Sequence, residues 1–179
     1  MPDQTPRIQM IIADPKTAKW SPPQSNVANV APERPREMTV PELETSVNFK
    51  LQRIAMPEAQ LISSALFPKH QTYYGEFGNG AQTLYEYVKP SQTFVVIQRQ
   101  TLRSDQPFMF MYGPDVKAFQ KVLGSGEVTV VIPAANSPHK PFAECVMGEM
   151  YITVHFLWNA SETDILRILG GLLNGDSHK

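Results

Sequence analysis

A thiol and two imidazoles are the side chains in this sequence with the clearest potential for covalent chemistry. Cys145 could act as a nucleophile if His139 or His155 served as its base and a nearby carboxylate oriented that histidine. The run Glu144–Cys145–Val146 lacks the glycine-flanked turn that exposes a nucleophile, and a free cysteine usually behaves as a small buried hydrophobe. A small Cys/His enzyme is therefore the alternative hypothesis, and a non-catalytic protein is the leading one.

Metal and phosphate sites have weaker signals. The body histidines, His70, His139 and His155, have no ligand partner at the short spacings of known metal motifs, so we expect no metal and no cofactor. The glycine-rich run 75–80 could suggest a phosphate loop. A strand rather than a helix is predicted after it, and the run holds no lysine, so the pattern argues against nucleotide binding.

Aromatic residues follow the glycine-rich run. Tyr85 and Tyr87 share one face of a predicted strand, and Arg99 lies on the next strand along the chain. A sheet with exposed tyrosines can stack nucleic-acid bases. The formal net charge of −1 provides no general attraction for a polyanion, so nucleic-acid binding is a second alternative. Tyrosine, methionine and arginine are also favoured at protein interfaces.

Composition restricts the setting in which such sites operate. The single cysteine excludes a disulfide within the chain, which favours a cytoplasmic or other intracellular location. The apolar piece near Ile8 is too short for a signal peptide, and no run reaches the length of a membrane span. We therefore expect one domain without a membrane span.

The first 41 residues hold half of the sixteen prolines, which excludes a central strand or a long helix there. Ile11, Ile12 and Trp20 are apolar residues that a free tail does not need. The sequence thus predicts an extended arm over 1–41 that packs on this chain or on a neighbour, followed by a globular domain over 42–179.

Hydrophobic periodicity predicts the elements of the body. Residues 150–158 alternate with period two, and Ser161 caps a helix with apolar residues at helical spacing. Thr39 and Glu42 form a capping box for a short helical turn. The remaining predictions are a strand at 47–53, a helix at 57–66, a loop at 69–81, strands at 83–88, 93–102 and 108–112, a helix at 116–123 and a strand at 127–132.

Short links between these elements predict an α+β fold with a single mostly antiparallel sheet of about five to six strands and helices packed on one face. The Pro-rich extended N-terminal arm precedes it. From residue 57 onward the order of elements resembles that of small secretion chaperones, although no motif is shared.

The run Phe108–Tyr112 is apolar at every position, so both faces of that strand must be covered, and a partner chain is one possible cover. This pattern supports the leading hypothesis, a non-catalytic protein-binding or assembly subunit (adaptor, chaperone-like or structural component). Self-association would serve the same purpose. The predicted interface residues are Ile11, Ile12, Trp20, Tyr85, Tyr87, Met109, Met111 and Trp158.

Overall fold

The computed structural model of the chain describes residues 8–12, 34–72, 75–101, 108–112, 116–124, 126–148 and 150–173. Eleven strands and two helices lie within them. In chain order these are β1 (Ile8–Ile12), β2 (Arg36–Glu37), α1 (Val40–Ser46), β3 (Ala59–Phe67), β4 (His70–Thr72), β5 (Gly75–Tyr87), β6 (Lys89–Thr101), β7 (Phe108–Tyr112), β8 (Val116–Leu123), β9 (Gly126–Pro133), β10 (Phe142–Met147), β11 (Met150–Phe156) and α2 (Glu162–Leu173).

Nine of these strands form one antiparallel sheet built from two meanders. Its order is β2-β3-β5-β6-β11-β10-β9-β8, and β4 pairs with β5 beside the end of β3. We call β2 to β6 the first meander and β8 to β11 the second. They join where β6 pairs with β11, in a register that sets Val96 opposite Val154 and Phe94 opposite Phe156.

The predicted fold class is therefore wrong. The sheet has nine strands instead of five or six, and the described residues contain two helices, one of only seven residues. The predicted helix at 57–66 is strand β3, and the predicted helix at 116–123 is strand β8. With both helices replaced by strands, the likeness in order to small secretion chaperones is lost.

Of the other local predictions, some are confirmed and some are wrong. The strands predicted at 83–88, 93–102, 108–112, 127–132 and 150–158 all have counterparts, as do the capped helix after Ser161 and the helical turn after Thr39. The predicted loop at 69–81 contains β4 and the first half of β5, and the predicted strand at 47–53 is irregular. Residues 89–92, which separate the predicted strands at 83–88 and 93–102, belong to β6, and the chain turns at Val88 instead.

Helix α2 covers the centre of one sheet face, which we call the helix face. Ile165, Ile168 and Leu172 are at most 1 % exposed and pack on the β-strand residues of that face. Their spacing puts them on one side of a helix, while alternation places every second strand residue beneath it. This α2 core includes Val96, Val130, Ala143, Cys145, Ile152, Val154 and Phe156.

Helix α1 lies on the same face over the first meander and is shorter. Its capping box is formed in full, with the Thr39 hydroxyl accepting from the Glu42 amide and the Glu42 carboxylate accepting from the Thr39 amide at 2.7 Å. Because the helix has seven residues, it buries only Leu43 completely. The α1 core consists of Leu43, Val47, Leu51, Leu66 and Ala81.

A second, two-stranded sheet lies beside the opposite face, which we call the ribbon face. Strand β1 pairs in parallel with β7, so that Ile11 lies opposite Met111. Cα atoms of β1 come within 8 Å of β10, whose two neighbours in the sheet are β9 and β11. Since α2 occupies the helix face, β1 lies on the ribbon face. This part of the predicted arm therefore pairs within its own chain.

Candidate functional site

A cleft of about 360 Å³ opens on the helix face between α1 and the first meander. Its walls come from the start of α1, the irregular segment after that helix and strand β3, and its floor is formed by β5 and β6. We call it the α1 cleft. Its lining residues are Val40, Pro41, Leu51, Gln52, Arg53, Ile54, Ala59, Leu61, Thr83, Tyr85 and Gln98.

Gln98 fixes the irregular segment over the floor of the cleft. Its side chain is fully buried, and its amide makes two hydrogen bonds with the backbone of Gln52. The Gln52 amide donates to the Gln98 Oε1 at 2.7 Å, and the Gln98 Nε2 donates to the Gln52 carbonyl at 3.0 Å. A buried amide satisfied at both ends holds the chain as a neighbouring strand would.

The far end of the same segment is attached to α2. The amide of Ala55 donates to the carbonyl of Gly171 at 3.2 Å. A Cβ on Gly171 would come within 3.1 Å of the Met56 sulfur, so a glycine allows this close approach. The wall of the cleft is thus held at both ends, by Gln98 and by the last turns of α2.

Tyr85 provides a buried phenol on the floor. Burial raises the pKa of Tyr85 above its ordinary value, while hydrogen bonding with the Thr83 side chain and the Ile54 backbone, and the charge of Arg53, act in the opposite direction. The ring stacks on Phe94 with centroids 5.2 Å apart, which fixes its position. The phenol is therefore neutral at physiological pH.

Arg53 is the charged member of the cleft lining. Its guanidinium pairs with the Glu44 carboxylate of α1, and both side chains are well exposed, at 65 % and 46 %. An ion pair in water contributes little to stability, roughly 0–1 kcal/mol. Leu61 adds an apolar residue to the lining and is 40 % exposed.

A row of polar and aromatic side chains crosses the ribbon face. The Tyr151 hydroxyl donates to the buried Glu144 carboxylate at 2.9 Å. Arg99 lies over the Phe67 ring at 4.9 Å and near the Tyr151 ring at 6.0 Å. Gly80 makes room for it, because a Cβ there would be 2.7 Å from the Arg99 Cγ. Burial lowers the pKa of Arg99, which the proximity of Tyr151 partly opposes.

The Cys/His site suggested by the sequence is not assembled. Cys145 is buried in the α2 core on the helix face, whereas His155 lies on the ribbon face and stacks on Phe142 at 6.2 Å. Burial raises the pKa of the Cys145 thiol to about 12, and the nearby Glu127 charge contributes to the rise as a smaller cause. His139 lies exposed in the β9–β10 loop. A thiol in this state is not a nucleophile at neutral pH.

The predicted interface residues fall in different environments. Tyr85 and Tyr87 are 6 % and 4 % exposed and belong to the α2 core, so that their rings are not a platform for bases or for a partner. Trp158 is half-buried against Tyr87, with centroids 6.1 Å apart.

The other predicted interface residues lie in the ribbon or beyond the described part. Ile11 and Ile12 are in β1, and Met109 and Met111 are in β7. Trp20 lies outside the described residues.

Sequence reasoning missed Arg53 and Gln98, the two residues that give the α1 cleft its charge and its fixed wall. Gln98 offered one signal, because it is a polar residue at a position that period two assigns to the buried face of β6. Arg53 offered none, since it lies in an irregular segment whose pairing with Glu44 depends on the fold.

Over the described ranges, His, Cys, Asp and Glu side chains form no group of three or more that could hold a metal ion. Within the same residues no helix is long and apolar enough to cross a membrane. No family model, curated protein or solved structure matches the chain.

Proposed function

We propose that this chain is a non-catalytic protein-binding or assembly subunit that takes up an extended segment of a partner along the outer edge of β8. The observation that carries the proposal is the position of β8 at the end of the sheet. Strand β8 has eight residues, and among the described strands it pairs with β9 alone. Such an edge presents backbone donors and acceptors to which another strand can pair.

The opposite edge of the sheet has no comparable capacity. It ends in β2, whose two residues pair with Leu66 and Ala65, and the part of β3 that β2 leaves uncovered is interrupted by the register shift between Leu61 and Ser63. A bulge disrupts the ladder locally, whereas a regular edge of eight residues supports a series of main-chain hydrogen bonds. The two ends therefore differ in regularity, which favours β8 as the edge for a partner.

The side chains of β8 specify the chemistry of the partner segment. Lys117 and Lys121 project on the helix face, where Lys117 donates to Glu162 of α2 at 2.5 Å. Val122 projects on the ribbon face and is 73 % exposed. A strand beside β8 gains from acidic residues near the lysines and apolar residues near Val122. Two β8 strands paired together would gather four lysines on one face, which disfavours a second copy as the partner.

We place this role inside the cell because the single Cys145 can form no disulfide within the chain.

The test is binding of a capped ten-residue peptide that alternates valine and glutamate, observed on the amide resonances of the full chain by NMR. We expect saturable shifts along Val116–Leu123 and slower amide exchange there. A peptide with lysine in place of glutamate is the matched probe and should bind more weakly.

Lys121→Glu should reverse this preference between the two peptides, whereas Lys140→Glu, in the β9–β10 loop, should leave it unchanged. Shifts that avoid β8, or a preference that Lys121→Glu does not alter, would contradict edge pairing.

A further inference from the structure

We propose that the α1 cleft binds a small monocarboxylate with a compact apolar body, and that Arg53 pairs with its carboxylate. The cleft has the size of a ligand site, since its volume of about 360 Å³ lies within the roughly 300–1,000 Å³ typical of small-molecule pockets. It lies in the first meander and is independent of the β8 edge at the end of the second.

The cleft is built in advance of any ligand. Gln98 holds the Gln52 backbone through two hydrogen bonds, and the capping box fixes the start of α1, where Val40 and Pro41 form the opposite wall. Walls that are fixed in the free protein reduce the entropy that binding must offset. A flexible loop folded over the sheet by chance would lack these two anchors.

The floor and walls of the cleft favour a ligand whose body is apolar. The Gln98 amide is bonded to Gln52 at both ends, and the Thr83 hydroxyl donates to the Val96 carbonyl at 3.4 Å. The remaining lining is largely aliphatic, and a ligand that placed a polar group against it would lose hydrogen bonds to water. The aliphatic lining residues are Val40, Pro41, Leu51, Ile54, Ala59 and Leu61.

The ligand head group is determined by Arg53. Among the described lining residues it is the one that carries a charge, and its positive charge acts on the Tyr85 phenol on the floor. Its ion pair with Glu44 is exposed to solvent and therefore weak, so the carboxylate of a ligand can take the place of the Glu44 carboxylate. Arginine presents a planar fork that binds a carboxylate with two hydrogen bonds. The pair with Glu44 thus shows the chemistry that a ligand would reproduce.

The experiment titrates the full chain with octanoate and, as a probe without the charge, with 1-octanol, and follows the methyl resonances of Val40, Leu51, Ile54 and Leu61. We expect saturable shifts of these methyl groups with octanoate, and weaker binding of octanol. Absence of saturable shifts at these positions, or binding of octanol as tight as that of octanoate, would overturn the proposal.

Three variants separate ligand binding from a structural role of Arg53. Arg53→Gln should weaken octanoate binding by about tenfold and leave octanol binding unchanged, since one charge-assisted pair is lost. Glu44→Gln should strengthen octanoate binding severalfold, because it removes the competing carboxylate. Lys140→Gln, which changes a remote exposed cation in the β9–β10 loop, is the matched control and should change neither.

If Arg53 only supported the fold, Arg53→Gln and Glu44→Gln would not change the octanoate affinity in opposite directions. Unchanged octanoate affinity in both variants, with methyl spectra of the free proteins like that of the parent chain, would overturn the assignment of the head group.

Discussion

The two meanders are both antiparallel and share one continuous sheet, but they are covered to different extents. The second meander lies under α2, whose core contains seventeen buried residues and also draws in the centre of the first meander. The outer part of the first meander lies under α1, whose core contains five. A twelve-residue helix spans the strands beneath it, while a seven-residue helix leaves the α1 cleft open beside it.

The hairpin turns of the two meanders also differ, because only the first meander has a strained residue at its turn. The β8–β9 and β10–β11 turns place Gly124 and Gly148 at φ values of 58° and 60°, a conformation that glycine adopts without steric cost. The β5–β6 turn of the first meander places Val88 at φ 62°, where a β-branched residue is strained. The comparison indicates that the second meander is built for stability, and that the first meander combines lower stability with the cleft.

The largest expected effect on stability comes from shortening one buried side chain in each core. Ile168→Ala and Leu43→Ala both remove a fully buried aliphatic side chain. We expect Ile168→Ala to lower the free energy of unfolding by about 3 kcal/mol, within the range for buried aliphatic-to-alanine changes. Leu43→Ala should cost about 2 kcal/mol, because the small α1 core can collapse towards the neighbouring cleft.

Urea unfolding of the two variants and the parent chain measures both values, with the denaturant slope checked for two-state behaviour. Equal costs, or a larger cost for Leu43→Ala, would contradict the view that α1 is the weaker cover.

The strength of the sequence signals follows the same division. Alternation in β11, the cap at Ser161 and the apolar stripe of α2 predicted the centre of the molecule, because burial there is complete on one side of each element. Where burial is partial, the hydrophobic pattern predicted the wrong type of element. Val116, Phe119 and Leu123 have helical spacing, but β8 is an edge strand with half of its positions exposed, which destroys the alternation.

Two further errors have identifiable local causes. In β3 the register shifts between Leu61 and Ser63, so a bulge breaks the period of two and leaves Leu61, Ile62 and Leu66 at a spacing that imitates a helix. In β5 the glycines suggested a loop, although Gly80 is in the strand and provides space for the Arg99 side chain. Neither a bulge nor a contact between strands can be derived from residue spacing alone.

The α1 cleft was beyond prediction for a related reason. It arises where α1 and the segment after it fail to cover the sheet, and an uncovered area depends on the length and placement of two elements at once. The capping box that starts α1 was predicted from Thr39 and Glu42. The buried hydrogen bonds of Gln98 that hold the following segment were not, since they join residues 46 positions apart in the chain.

A smaller effect probes how completely the α2 core is sealed. The Cys145 thiol has a pKa of about 12 in the folded chain and an ordinary value of 9.0 when unfolded. Below pH 9 both states hold the proton, so stability is unaffected. As pH rises from about 9 towards 12, the unfolded chain gains by ionising and the folded chain does not, so stability falls. By pH 10 the loss should be about 1.4 kcal/mol.

Urea unfolding between pH 8 and pH 10 measures this slope, and Cys145→Ala should flatten it even if the variant is less stable at every pH. The range ends at pH 10 because burial also raises the pKa of Tyr85 and Tyr87, and their phenols begin to ionise near pH 10 in the unfolded chain. A slope that Cys145→Ala leaves unchanged would mean that the thiol is in contact with solvent, contrary to its burial at 3 % exposure.

The smallest effect comes from exchanging the turn residues of the two meanders. Val88 is 63 % exposed, so Val88→Gly removes little buried surface and relieves a left-handed conformation that costs an L-residue roughly 1–2 kcal/mol. Glycine returns part of that gain through its greater freedom in the unfolded chain, which leaves a net stabilisation of about 0.5 kcal/mol.

The reciprocal change, Gly148→Ala, introduces the strain where it is absent. A Cβ at Gly148 would meet no atom within 4 Å, so the cost of about 1 kcal/mol is a pure backbone effect. Thermal unfolding of both variants gives the comparison, with Val88→Ala as a control that shortens the side chain and keeps the strained backbone. If Val88→Gly fails to raise the melting temperature while Gly148→Ala lowers it, contacts of the Val88 side chain must offset its backbone strain. The first meander would then be no less stable at its turn than the second, and the contrast between them would rest on the helices alone.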